Sequence, residues 1–272
     1  MEQQIQVIQQ ADVLAAINSS EIDSQVATAH KFPRDVEQAL KKIEMLACVD
    51  EETAADCFYV LHRNGAAGDT TIEGLSVRMA EIIASCWGNL RVQARIINND
   101  GKYITAQGVC HDLESNYAVS KEVRRRITDR SGRTYSEDMQ VVTGNAACAI
   151  AMRNAVLAVV PKAVTNAIVK RVKKIAMGAS LDIPTARQQM INYFARLGVT
   201  VDQLCAYLQI GNIGEITKEH IFTMRATAQA IKEGTTTVRE TFVLPAQQAS
   251  DADKAKKAAE EAKARAEKAA KK

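Results

Sequence analysis

The sequence predicts an α+β fold: an antiparallel three-stranded β-meander packed on a long buried helix, with flanking helices and a small C-terminal helical module. Three observations carry this expectation. Residues 90–97, "LRVQARII", alternate apolar and polar side chains, and a turn signal and two further strand-like runs follow. Residues 144–160 are apolar nearly all round, as a buried helix is. Residues 185–242 hold three amphipathic helical segments with balanced charge.

Taken in order, residues 1–30 are polar and weakly periodic and read as a partly ordered arm. A helix is expected over 33–46, where Val36, Leu40, Ile43 and Leu46 recur at helical spacing. A second helix is read through "EETAADCFYVLHR", and "NGAAGDT" is read as a flexible break. "TIEGLSVRMAEIIASCW" reads as an amphipathic helix, with Leu75, Met79, Ile82 and Cys86 on one face and Arg78, Glu81 and Ser85 on another. "NNDG" at 98–101 is a hairpin turn, because Asp-Gly tolerates the positive φ that tight turns need. "KYITAQGVCHDL" returns as the second strand. "NYAVSKEVRRRI" is the third, with Tyr117, Val119 and Val123 on one face, and "TDRSGRTY" is its exit loop.

Pro161 breaks the apolar helix and suits the first turn of the next. There Val164, Ile168, Val172 and Ile175 form an apolar stripe opposite Lys162, Asn166, Lys170, Lys173 and Lys174. Thr200 and Thr217 are expected N-caps, the latter without a full capping box because His220 stands at the third helical position. The alanine- and lysine-rich tail has helical propensity but no apolar face, so it reads as solvated. The expected organisation is an arm over 1–30, an α+β core over 31–180, a helical module over 181–245 and a tail over 246–272. A chain of 272 residues has room for one large and one small domain.

Charge is uneven. Residues 1–60 hold 11 acids and 4 bases, hence −7, whereas residues 120–180 hold 12 bases and 4 acids, hence +8. A basic block of this size in a folded region marks a candidate polyanion surface. Its densest part is "KEVRRRITDRSGRTY", with Lys121, Arg124, Arg125, Arg126, Arg130 and Arg133. Arg91 and Arg95 supply a further basic face on the preceding strand. A sheet edge and a lysine-striped helix together would line a groove that holds a sugar-phosphate backbone by charge, without reading sequence. Each basic element also has a plain reading as a solvated face.

Catalytic signatures are missing. There is no Gly-x-x-x-x-Gly-Lys phosphate loop, which argues against ATP-driven strand exchange. "CHDLES" gathers His111, Asp112 and Glu114, but alternation sends His111 to one face and the acids to the other, a poor arrangement for joint metal ligation. No metal or cofactor is expected, and the chain reads as a non-enzyme. The six cysteines lack metal-type spacing and sit mostly among apolar neighbours, so they read as reduced core residues of a cytosolic protein. The N-terminus has no basic start or apolar core of signal-peptide length, and the stretch around 146–160 reads as too short and too polar to span a bilayer. No membrane association is expected.

"IEGLSVRMAEIIASCWGNLRV" followed by "NNDGKYITAQGVCHDLES" resembles the core of phage single-strand annealing proteins of the RecT, Redβ and Rad-fifty-two-like superfamily. "VTGNAACAIAMRNAVLAVVP" resembles the helix that follows that core. "FARLGVTVDQLCAYL" and "ITKEHIFTMRATAQAIKEGTTTVRETF" resemble a small C-terminal module often attached to phage recombination proteins. The resemblance spans about residues 70–242 and rests on patterns rather than a catalytic fingerprint. It implies ATP-independent annealing of complementary single strands, assembly into rings or helical filaments, and a bacterial host cytoplasm. It places Arg124, Arg125, Arg126, Arg130 and Arg133 along the DNA, with Lys121 beside them and Lys162, Lys170, Arg171, Lys173 and Lys174 as further candidates. Arg153 either pairs with an acid or points into the groove. Tyr117 and Tyr135 are candidates for base stacking, with sheet packing as the alternative. The implied partners are single-stranded DNA, further copies of the chain, and the host single-strand-binding protein or a phage exonuclease. The competing reading is a self-assembling structural or interaction protein whose basic patch is only a solvated face.

Overall fold

The computed structural model describes residues 2–65, 68–129, 131–178 and 182–242. The tail from 246 onward and Arg130 lie outside the described residues. Helix α1 (Glu2–Lys31) is followed by α2 (Val36–Ala47) and α3 (Glu51–Asp56), a hairpin of β1 (Phe58–Gly65) and β2 (Gly68–Leu75), and α4 (Val77–Trp87). Strands β3 (Leu90–Asn99), β4 (Tyr103–Asp112) and β5 (Tyr117–Arg126) form an antiparallel meander in the order β3-β4-β5. Helices α5 (Glu137–Val159), α6 (Lys162–Ala176), α7 (Ile183–Arg196), α8 (Val201–Leu208), α9 (Lys218–Lys232) and α10 (Val238–Thr241) follow. The fold is therefore α+β, with the meander packed on α5.

The sheet meets α5 through the even positions of β4: Ile104, Ala106, Gly108 and Cys110 are all buried. Gly108 permits a close approach. A Cβ built there would lie 2.3 Å from the backbone carbonyl of Ala151, so α5 rests directly on the strand backbone. The turn between β3 and β4 follows its chemistry. Gly101 has φ +78°, and the Asp100 carboxylate accepts the amides of Lys102 and Tyr103.

The structure corrects several expectations. "EETAADCFYVLHR" is not one helix: α3 ends at Asp56, and β1 begins at Phe58, where aromatic and branched residues favour a strand. Of the expected break, Asn64 and Gly65 end β1 and Gly68 to Thr70 begin β2, which continues through the start of the expected helix to Leu75, while Ala66 and Ala67 lie outside the described residues. Helix α4 begins only after Ser76, whose hydroxyl accepts the Met79 amide as an N-cap. Helix α5 begins at Glu137, seven residues earlier than its apolar pattern, because Ser136 caps it and Glu137 and Asp138 occupy its positive end. At 23 residues α5 is longer than the stretch 146–160 read as too short, and it meets the length and composition of a membrane-crossing helix, a test that buried core helices also meet. Its apolar surface is partly spent on the sheet. Residues 2–31 form a continuous helix rather than a partly ordered arm.

The main core gathers α2, α3, α4, the β1–β2 hairpin, α5 and α6. A second cluster holds α7, α8, Ile221 and Met224 of α9, and Phe242. Helix α9 belongs to both clusters. Its Phe222 and Ala226 lie in the main core, and the Phe222 ring meets Phe58 of β1 edge-on at 5.5 Å. Among the described residues all six cysteines are free, and burial pushes the thiols of Cys57 and Cys110 up to about 12 and about 11.

Candidate nucleic-acid interface

The face of the meander away from α5 is built by strand register. On β4 it carries Tyr103, Thr105, Gln107, Val109 and His111. Arg91 lies opposite His111 and Arg95 opposite Gln107 on one side; Arg124 lies opposite Thr105 and Arg126 opposite Tyr103 on the other. Four arginines thus stand on the two outer strands with a polar middle strand between them. Glu122, opposite Gln107, is the acid that the paired strand positions contribute.

Each guanidinium on this face is held in place. Arg95 donates to the Gln107 side-chain carbonyl at 3.0 and 3.1 Å. Arg91 donates to Gln25 of α1 at 2.8 Å. Arg124 lies over the Tyr103 ring at 4.1 Å and donates to Asp100 at 3.0 Å. Arg126 donates to Thr128 and to the Asp129 carbonyl. The Asp100 carboxyl is held below its usual range by the amides of Lys102 and Tyr103, with Arg124 adding to the effect. Arg124 is well exposed, so its ion pair is weak and exchangeable for another anion.

The other candidates of the run fall elsewhere. Alternation turns Lys121 and Arg125 toward the α5 side of β5. Lys121 is exposed. Arg125 donates to the carbonyls of Gly234 and Thr235, just past the end of α9, and so fastens that helix to the sheet. Arg133 pairs with Asp129 in the exit loop and is largely solvent-facing. Tyr135 packs with Ile104 and Ala147 in a small third cluster, and Tyr117 is exposed at the start of β5.

Arg153 is buried and lies across the Tyr59 ring at 4.6 Å, with its Nη1 4.0 Å from a Glu233 carboxylate oxygen. Burial raises the Glu233 carboxyl, while Gln229, the Val77 amide and Arg153 counter it. Of the two roles open to Arg153, the structure shows the acid partner. On α6, Arg171 pairs with Glu44 and Lys173 with Glu73, whereas Lys162, Lys170 and Lys174 are exposed without ion pairs among the described residues. Helix α6 packs mainly on α2 and α3, so its lysines form a second basic surface rather than the facing wall of the sheet's groove.

Asp112 and Glu114 have a role that the sequence did not reveal. Arg34, at the start of α2, donates to both and stacks on Trp87 at 5.0 Å. Glu114 also accepts from Asn89. "CHDLES" is therefore a clamp for the chain entering α2. Among the described residues no three metal-binding side chains come together. Comparison with known families, with characterised proteins and with solved structures returns no match.

Proposed function

We propose that this chain binds single-stranded DNA on the open face of the meander and anneals complementary strands without nucleotide hydrolysis, working as a homo-oligomeric ring or filament. The observation that carries the reading is the row of Arg91, Arg95, Arg124 and Arg126 on one exposed sheet face. Guanidinium groups spaced along two strands suit successive phosphates, and Tyr103 under Arg124 offers a ring beside them. In the same reading, the C-terminal helices recruit the host single-strand-binding protein or a phage exonuclease.

A second reading has its own observation. Arg124, Arg126 and Arg133 already have partners within the chain, as the arginines of a solvated structural surface would. A salt series on single-stranded oligonucleotides separates the two. The annealing reading expects binding that weakens steeply with salt, and the slope should fall by roughly 0.7 for each phosphate that a variant no longer neutralises. Arg95→Ala with Arg124→Ala should lower affinity and flatten the slope together, while Arg125→Ala should leave the slope unchanged. Absence of binding by the folded wild-type chain at low salt would leave the structural reading.

A further inference from the structure

Helices α3, α7 and α9 enclose a cleft of about 530 Å³, within the size range of small-molecule sites. The room comes from alanines. Ala55, Ala186 and Ala228 stand on the three different helices, so no long side chain fills the space at those positions. Met190, Ile221 and Met224 supply an apolar floor and belong to the second cluster. Methionine is unbranched and polarizable, so two of these three side chains adapt to an irregular apolar guest.

The charges of the cleft are unevenly paired. Arg196, Arg225 and Lys232 line it together with Glu52 and Asp56, three cations against two acids. Arg196, Lys232 and Glu52 are exposed, whereas Arg225 and Asp56 are half-buried. Burial raises the Asp56 carboxyl, and Lys232 works against that shift; the other charges that act on it are Glu52, Arg78 and Asp50, not Arg225. Arg225 stands seven residues before Lys232, about 10 Å along α9. Among the described residues it has no ion pair, and its Nη1 is buried without a hydrogen-bond partner. A buried donor left so is costly, and native structures pair nearly all such groups.

We propose that the α3–α7–α9 cleft binds a small amphiphilic monocarboxylate, with the carboxylate on Arg225 and the apolar body on the methionine-lined floor. A planar guanidinium matches a carboxylate with two parallel hydrogen bonds, and one drawn partly out of water holds it more firmly than a surface one. The excess of one cation suits a single negative charge. A phosphate monoester carries close to two at neutral pH, and Glu52 and Asp56 repel the second. A guest in the cleft touches α3, which belongs to the main core, and α7, which belongs to the second cluster. Its binding therefore stabilises the folded chain and raises the melting temperature. None of these residues lies on the meander, so the site is independent of the nucleic-acid reading.

The test is isothermal titration calorimetry of the full chain with decanoate below its micelle concentration, beside decanol and decyl phosphate. Decanoate should bind saturably at one site, with both other probes at least about tenfold weaker. Arg225→Gln should weaken decanoate about tenfold or more, the loss expected of a charged hydrogen-bond donor. Ala228→Leu should block binding by filling the cleft while Arg225 stays in place. Lys41→Gln, an exposed cation on α2, should bind like wild type. Circular dichroism verifies folding, and if Ala228→Leu fails to fold, Arg225→Gln decides. Absence of saturable binding overturns the proposal. Decanol binding as tightly as decanoate would assign the cleft to apolar contact alone, and tighter binding of decyl phosphate would assign it to another anion; either overturns it. Equal weakening by Lys41→Gln and Arg225→Gln would mean diffuse charge attraction, which also overturns it.

Discussion

At the scale of single residues, the fate of each arginine depends on which side of a strand or helix it occupies. Arg124 and Arg126 face solvent with exchangeable partners, while Arg125 between them is committed to the end of α9. Arg34 is the most committed of all. Burial opposes its charge, but hydrogen bonds to Asp112 and Glu114 outweigh that and raise its pKa further. Burial likewise pushes both carboxyls up, yet the Arg34 hydrogen bonds and nearby amides hold them below their ordinary values of 3.8 and 4.5. Carboxyls depressed in the folded state stabilise it above their unfolded values, and that contribution disappears as pH falls through the folded ones. The wild-type chain should therefore lose stability more steeply below about pH 4.5 than Arg34→Ala does. At neutral pH, Arg34→Ala should cost about 3 kcal/mol in a denaturant titration, since it leaves two partly buried carboxylates without their cation. An equal acid response in both proteins would mean that the clamp does not set it. His220 is a smaller case. Its Nδ1 accepts the Thr217 amide, so an imidazole closes a capping box that Glu or Gln ordinarily completes.

Among the elements, the meander was legible in the sequence and the β1–β2 hairpin was not. Residues 90–97 alternate apolar and polar side chains, and "NNDG" marks the turn, so two independent local signals agree. The hairpin has no such agreement. "EETAAD" starts a helix in earnest, and its period runs without punctuation into "FYVLHR", so only the aromatic and branched residues hinted at the change. The arginine face was half legible: Arg91 and Arg95 were visible as a strand face, but pairing them across β4 with Arg124 and Arg126 needs the register. The partners of Arg34, Arg125 and Arg153 are 78 to 110 residues away in the first two cases and 80 residues away in the third, beyond any local pattern. One glycine did carry a readable signal. An isolated Gly within "TAQGVC" marks a close backbone approach, and Gly108 is where α5 touches the sheet. Gly108→Ala places a methyl 2.3 Å from the Ala151 backbone, which no side-chain rotation relieves. It should destabilise the chain by about 3 kcal/mol or more, at the upper end of overpacking costs. Gly101→Ala strains only an exposed turn and should cost about 1 kcal/mol. Equal melting temperatures for the two variants would mean that α5 shifts away from β4 without penalty.

For the whole molecule, the decisive element is α9. Its Ile221 and Met224 close the cluster formed with α7 and α8, while Phe222 and Ala226 fill the main core beneath β1. Its last residues are held from both sides: Arg125 binds the carbonyls of Gly234 and Thr235, and Glu233 accepts the Val77 amide at the start of α4 and faces Arg153. A chain ending at residue 180 therefore loses more than a module. It uncovers Phe58, takes from Arg125 its two carbonyl acceptors, leaves the buried Arg153 with Asn154 and Tyr59 but no acid, and removes the carboxylate from the start of α4. A buried arginine deprived of its acid costs about 3 kcal/mol, and losing the Phe222 ring costs about as much again, a large part of the stability of an ordinary domain. The chain ending at 180 should melt far below the full-length protein or fail to fold, whereas a chain ending at Phe242 should melt close to it, because Phe242 still packs on Phe194 and Tyr207. If the chain ending at 180 unfolds cooperatively at the full-length melting temperature, α9 is dispensable to the core. The pair of truncations also decides how partner recruitment is to be measured. Loss of activity on protein-coated DNA by the shorter chain would report a damaged core, so recruitment is better probed by surface changes on α7 and α8 in a chain that keeps α9 seated.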